Sequence, residues 1–279
     1  MLSKLIGAVV RAVLVAVLIA TPSLVLPNTS ADTAQVVILA GLFCGALVLF
    51  EYASSYPSLI EFREAPPFNR IRFVSLLATV FLLSVICRSH VDGSALAKLV
   101  AAIGTLVGQA IDFPFSPVRL LLDVLPETAS SSDIATFRAL SGLAYLISLL
   151  TLAVFAIYMR LISWPSANRS FNVWVNLPTF DPTAGKDVVT RLTRDARVNI
   201  LLGFLLPFLT PIALASGVEL FGSISIASEQ SLIWMVAAWA FLPASLFMRG
   251  MAMNRIAQMI QDKRRVSYEK AVAHGYVPA

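Results

Sequence analysis

ALSGLAYLISLLTLAVFAIYMRLI, running from Ala139 to Ile162, holds no charged residue until Arg160. A helix needs roughly 20 mostly apolar residues, within a range of about 17–25, to cross the hydrocarbon core of a bilayer. This stretch meets that length. Five others match or approach it: Leu5–Leu26, interrupted by Arg11; Ala34–Phe50, without a charge; Ile71–Cys87, short and beginning beside Arg72; Ile200–Val218; and Ser231–Met248. The reading is an all-α, multi-pass transmembrane helical bundle, with six spans forming one integral membrane domain over residues 1–279.

Composition agrees. Of the 279 residues, 58% are hydrophobic and 13% charged, and the mean hydropathy is +0.81. Soluble domains carry about 25% charge to cover their surface. The deficit excludes a soluble globular enzyme, a disordered chain and a nucleic-acid-binding domain, despite a net charge of +5. Cys44 and Cys87 are too few for a disulfide framework, and both sit in apolar runs, as buried small hydrophobes do. Neither His90 nor His274 lies in an apolar run, so haem held by paired intramembrane histidines is excluded. No cofactor or metal is implied.

Cytoplasmic loops of membrane proteins collect Lys and Arg. Of the 21 basic residues, only Arg88, Lys98, Arg119 and Arg138 fall in segments assigned to the outer side. The remaining 17 lie in the start of the chain, in 51–72, in the connector 160–199 and in the tail 249–279. That split places both termini in the cytoplasm. Aromatic residues suit the same orientation, with Phe50, Tyr52, Tyr158 and Trp164 at inner ends and Tyr145 and Trp234 near outer ends. Lys4 and Arg11 before an apolar stretch, with Thr29-Ser30-Ala31 after it, also fit a cleaved signal peptide. Retention as a span is favoured, because the stretch is long for a signal peptide and leads directly into another span.

The outer connector, 88–138, contains ALAKLVAAIGTLVGQAI at 95–111. Leu96, Leu99, Val100, Ile103, Leu106, Val107 and Ile111 form a helical stripe, with Lys98, Thr105 and Gln109 on another face. That pattern predicts an amphipathic helix lying in the interface, followed by a short helix over Val118–Leu125 started by Pro117. The alternative is a re-entrant hairpin, packed through Ala97, Ala101, Gly104 and Gly108.

The inner connector alternates over Phe171–Asn176, which predicts a short extended stretch. A helix is expected from Ala184 into the fifth span, with Val188, Val189, Leu192 and Ala196 on its apolar face. Asp187/Arg191 and Arg191/Asp195 have ion-pair spacing on that helix. Gly185-Lys186 is not a phosphate loop, because no Gly lies five residues earlier and Asp187 stands where Ser or Thr is needed. Asp181-Pro182-Thr183 reads as a turn. Asn28 and Asn168 begin weak glycosylation sequons. In the tail, Met253, Ile256 and Ile260 continue a helical stripe into Lys263-Arg264-Arg265.

Arg191, Arg194, Arg197, Lys263, Arg264 and Arg265 are therefore the candidate contacts to anionic lipid headgroups at the cytoplasmic face, or to a membrane protein partner. Gly41 and Gly45 form a GxxxG expected to pack on another helix of the same chain. Pro207, Pro211 and Pro243 are expected helix kinks. Ionisable residues are almost absent from the spans, which argues against ion-coupled transport. No GxSxG, HExxH or acidic cluster is present; Glu51, Glu61 and Glu64, offset by Arg63, Arg70 and Arg72, read as a solvated mixed-charge loop. No catalytic residue is assigned. The leading expectation is a non-enzymatic accessory, assembly or structural component of a membrane complex, in a bacterial inner membrane. The second is a channel or permease for an uncharged solute through the Pro-broken spans, and the third a lipid-modifying enzyme using Asp181 or Glu64.

Overall fold

The computed structural model describes residues 2–27, 29–56, 58–89, 91, 93–162, 164–165, 171–181, 183, 185, 187–221 and 228–274. Asn28, His90, Asn168 and Lys186 lie outside these, so both sequons and the Gly185-Lys186 pair are not described. The described chain is helical and contains no strand. In order it forms α1 (Leu2–Val25), α2 (Ala31–Ala53), α3 (Phe68–Arg88), α4 (Ala95–Ile111), α5 (Pro117–Leu122), α6 (Ser131–Leu161), α7 (Val173–Asn176), α8 (Val188–Phe221) and α9 (Glu229–Ala273). Six of these, all but α4, α5 and α7, are long and apolar enough to cross a membrane.

Serines start most of these helices. Ser30, Ser94, Ser116 and Ser228 each accept a hydrogen bond from the backbone N–H three residues on, at 3.0–3.3 Å, which satisfies one orphan donor of the first turn. Ser130 does so within a capping box, its own N–H donating to Asp133 Oδ2 at 3.2 Å. That box moves the start of α6 from the expected Ala139 to Ser131. The first two turns hold Asp133 and Arg138, so hydropathy does not register them. The tail is likewise one helix with its span, as expected, and α8 carries the preceding connector into its span.

The centre of the bundle is α3, α6 and α9, which pack on one another. Ser75 of α3 and Thr151 of α6 share a buried hydrogen bond of 2.6 Å between them. In an apolar surrounding such bonds join helices that hydrophobicity alone does not. On one flank α1 packs on α3 and α2 on α1; on the other α8 packs on α9. The outward faces of α1, α2 and α8 are lined by exposed residues such as Val13, Leu39, Leu42, Leu201 and Phe204. We call the end carrying Arg11, Arg72 and Arg249 the basic end, and the end carrying α4 and α5 the far end.

At the far end α4 lies across the ends of α3 and α6. Ala97, Val100, Gly104 and Gly108 are buried against them. A Cβ on Gly142 would lie 2.4 Å from the Gly108 Cα, so α4 and α6 cross with their backbones in contact. Leu96, Leu99, Ile103 and Leu106 are exposed on a second face, and Lys98, Thr105 and Gln109 on a third. Beneath α4, Asp112 accepts ion pairs from Arg119 (2.7 Å) and Arg138 (2.8 Å), with its own side chain only 6% exposed.

The connector over 171–176 corrects one expectation. Its alternating residues form the helical turn α7, not an extended stretch. Among the described residues no strand stands beside it to take its hydrogen bonds. The turn instead satisfies itself, with Asn176 N–H donating to Asn172 O at 3.1 Å and Leu177 N–H to Val173 O at 2.7 Å.

Candidate functional site at the basic end

The loop between α2 and α3 is where charge and burial meet. Glu51, in the last turn of α2, accepts the N–H groups of Ser58, Leu59 and Ile60 at 3.0–3.1 Å. Arg63 reaches back to the carbonyls of Glu51 (2.6 Å) and Ser54 (2.7 Å). The loop is thus wound around its own charges. Phe62 sits at φ 54°, a region that a bulky residue adopts only when its surroundings impose it. Here they do: its N–H donates to Asn176 O at 2.7 Å, and its buried ring lies 4.4 Å from Phe68 and 5.8 Å from Trp164.

Next to Phe62, Glu61 points into the bundle. It takes a two-pronged ion pair from Arg249 of α9, Nε to Oε2 at 2.5 Å and Nη2 to Oε1 at 2.7 Å. Thr179 Oγ1 donates to the same carboxylate at 2.7 Å, and Asn69 Nδ2 to the Glu61 carbonyl at 2.7 Å. The two charged side chains are only 12% and 26% exposed. Arg72 stands deeper. Its guanidinium lies 5.4 Å from the Phe68 ring and 5.8 Å from the Phe241 ring. Its Nε is buried, with no hydrogen-bond partner among the described residues. A cation at this position is costly; the two ring faces and the charge of Glu61 offset that cost.

Asn176 locks this loop to the connector after α6. Its Oδ1 accepts from Glu64 N–H at 2.9 Å, and Trp164 Nε1 donates to Ala65 O at 3.2 Å. Together the two loops close over a core of Phe68, Phe155, Leu177, Phe180, Met248 and Ile256. Two expectations are corrected here. The Glu51–Arg72 segment is not a solvated mixed-charge loop, because Glu61 and Arg63 are partnered and largely covered. Trp164 is not a membrane-surface aromatic either; it is 2% exposed and belongs to that core. Tyr145 likewise stacks on Trp239 within the bundle, at 5.7 Å.

The residues singled out by sequence surround this cap. Arg191 lies over the Phe180 ring at 4.7 Å, Arg194 pairs with Asp195 at 3.1 Å, and Arg197 is exposed. Lys263, Arg264 and Arg265 are exposed on α9. Arg264 Nη1 donates to Asp187 Oδ1 at 2.6 Å, while Asp187 Oδ2 accepts from the N–H groups of Val189 and Thr190 and caps α8. The Arg264 hydrogen bond, helped by those backbone donors, holds the Asp187 carboxyl below its usual range. Asp187 thereby joins the two basic patches. Val189, Leu192 and Ala196 form the buried face of α8, as the spacing predicts.

The packing residues are placed as follows. Gly41 and Gly45 face Ala16 and Ala12 of α1, with 3.5 and 3.2 Å between a built Cβ and the opposing carbonyl oxygens. Pro207 and Pro211 lie inside α8 and Pro243 inside α9. Gly203 meets α9 there: its Cβ would lie 2.7 Å from both Pro243 O and Phe247 N. At that level the two proline-containing helices touch backbone to backbone and leave no room for a solute between them.

Chemically, the cap can hold charge and present a shaped surface. Asp181 Oδ1 accepts from the Thr183 N–H (2.8 Å) and hydroxyl (2.7 Å), which is a turn. Glu64 is exposed, 3.8 Å from Arg63. No group of three or more His, Cys, Asp or Glu converges among the described residues. Sequence placed Glu61 and Arg72 only in a mixed-charge loop, and did not single out Asn176, Thr179 or Arg249. The available hint is that Glu61 stands between Ile60 and Phe62, and that Arg249 directly ends an apolar run.

The six long apolar helices define the class: an all-helical, multi-pass integral membrane protein. Compared with family models, curated proteins and solved structures, the chain matches none of them.

Proposed function

We propose that this protein is a non-enzymatic accessory or assembly component of a membrane complex, placed in a bacterial inner membrane with both termini in the cytoplasm. The observation that carries this reading is the end of α9. Beyond Ile260, the last residue packed on the core, α9 continues to Ala273 with residues 261–270 all exposed. That extension is about 20 Å long at 1.5 Å per residue. Apart from the Arg264–Asp187 contact, this extension packs on nothing among the described residues, and tertiary packing is what usually stabilises a helix; a partner surface would supply it. Val266, Tyr268 and Val272 are its exposed large apolar residues, and Lys263, Arg264 and Arg265 mark its base. The bilayer supplies the other contact, with Arg191, Arg194 and Arg197 facing anionic headgroups. α4 fits the interface, since its large aliphatic, polar and protein-facing residues occupy three separate faces.

The test is purification of the full chain in mild detergent, with identification of co-purifying proteins. A stoichiometric membrane protein partner is expected, and it should be lost when residues 266–279 are deleted while the melting temperature of the bundle holds. A lone chain that moves neutral solute across liposomes would overturn the reading in favour of a permease.

A further inference from the structure

At the basic end an open cleft of about 360 Å³ lies between α6, α8 and α9. Its apolar part is Ala156 and Met159 of α6, Ile200 of α8 and Met251 of α9. Its polar part is Arg160 of α6 with Asn254, Arg255 and Gln258 of α9. None of these polar residues belongs to the cap or to the basic patches already described. The cleft exists because α8 and α9 close up just beside it. Gly250 has no side chain, and a Cβ there would lie 2.7 Å from both Ala196 O and Ile200 Cγ1. That contact sets Ile200 as one wall.

Three features bear on what the cleft holds. First, its depth: Arg160 is the first charge after the uncharged run from Ala139, Ile200 begins the apolar run of α8, and Met251 follows the one that ends at Met248. The cleft therefore straddles the boundary between apolar and polar surroundings. Second, its charge: two guanidinium groups line it and, among the described residues, no carboxylate does. Arg255 uses its Nε on the Trp164 carbonyl, at 3.3 Å. That bond fixes the side chain, while among the described residues its two terminal nitrogens have no hydrogen-bond partner and Arg160 has no ion-pair partner. Third, its donors: Asn254 and Gln258 are one turn apart on the face of α9 that also carries Arg255. Arginine forks match the paired oxygens of a phosphate, and basic pockets between spanning helices bind anionic lipid headgroups.

We propose that this cleft is a binding site for an anionic phospholipid. Its phosphodiester is held by Arg160 and Arg255, the headgroup hydroxyls are met by Asn254 and Gln258, and an acyl chain lies along Met159 and Ile200. This site is separate from the partner contact on α9, and either can stand without the other.

Binding can be read by native mass spectrometry and by thermal shift of the full chain, in neutral detergent with added phosphatidylglycerol, phosphatidylcholine or glycerol phosphate. Phosphatidylglycerol is expected to stay bound and raise the melting temperature, while phosphatidylcholine and glycerol phosphate at equal concentration do neither. R160Q/R255Q should weaken phosphatidylglycerol binding by about 10-fold or more, as expected for losing charge-assisted hydrogen bonds. R70Q/K270Q removes the same charge from exposed positions at the same end and should change it less than about 2-fold. R160Q alone leaves the Arg255–Trp164 bond intact, so it tests the site should the double variant fail to fold; a loss of about 3-fold or more is expected. Equal binding of the two lipids, equal loss in the two double variants, or an equal shift with glycerol phosphate would each overturn the proposal.

Discussion

Trp239 of α9 donates its indole N–H to the carbonyl of Pro207 in α8, at 3.1 Å and fully buried. In a regular helix that carbonyl would accept from the residue four positions on, which is Pro211 and has no N–H. The tryptophan therefore satisfies an acceptor that a proline leaves open. Trp239→Phe keeps the ring and removes the donor, and should cost about 1–3 kcal/mol, as for a buried acceptor left alone. Pro211→Ala restores an N–H within α8. In that background the cost of Trp239→Phe should fall by half or more. A double-mutant cycle on detergent melting temperatures checks it; strict additivity would mean that the hydrogen bond carries no weight.

The crossing of α4 and α6 yields a ranked prediction at three glycines. A Cβ at Gly108 would lie 2.6 Å from the Arg138 carbonyl oxygen, and one at Gly142 would lie 2.4 Å from the Gly108 Cα. Both obstacles are backbone and cannot turn aside. At Gly104 the only contact under 3 Å is the end of the Ile86 side chain, at 2.9 Å, which can rotate. Gly108→Ala and Gly142→Ala should each cost about 1–3 kcal/mol, and Gly104→Ala less than about 1 kcal/mol. Melting temperatures give the order, and equal values at all three positions would contradict this packing.

Glu61 and Arg249 should differ in how much their loss costs, although they form one pair. Removing Arg249 leaves Glu61 with Thr179 and with the nearby charge of Arg72. Removing Glu61 leaves two cations, Arg249 and Arg72, with only the weaker influence of Asp195 on Arg249 to offset them. Breaking a well-buried pair from one side costs about 3–5 kcal/mol; this one is partly exposed, so the lower end applies. Glu61→Gln is expected to cost about 3 kcal/mol, Arg249→Gln about 1–2 kcal/mol, and the double variant less than their sum. Chemical or thermal unfolding of the three variants measures this. A larger cost for Arg249→Gln would show that Arg72 draws nothing from Glu61.

The pattern of success along the chain has a physical basis. The spans are legible because each is a local property: a run such as Ala139–Ile162 carries its own hydropathy. The Glu61–Arg249 pair is not, because its partners are 188 positions apart and each looks like an ordinary loop or helix-end charge. The start of α6 was written locally, in Ser130 and Asp133, but as capping chemistry and not as hydropathy. The turn Val173–Asn176 shows the opposite failure. Its alternation suggests a strand, yet a strand needs a neighbour, and the neighbouring segment, 58–67, is wound around Glu51 instead.

The Asp187–Arg264 contact ties the base of α8 to the tail of α9, and its behaviour with pH follows from the direction of the Asp187 shift. The folded carboxyl titrates below its ordinary value of 3.8. A carboxyl with a lowered folded pKa adds stability above its unfolded pKa and loses it as pH falls through the folded one. The tie should therefore hold across neutral pH and weaken only below about pH 4. Protonation removes the charge that Arg264 pairs with and weakens acceptance from Val189 and Thr190, so the first turn of α8 should fray with it. Amide hydrogen exchange at Val189 and Thr190, corrected for intrinsic rate, should stay level down to about pH 4 and accelerate only below it in the native chain. Asp187→Asn keeps a capping oxygen but cannot titrate, and should show no such step. Salt should mimic part of the effect, since the pair is exposed and screened. A step of the same size in the Asn variant would assign the pH response to some other group.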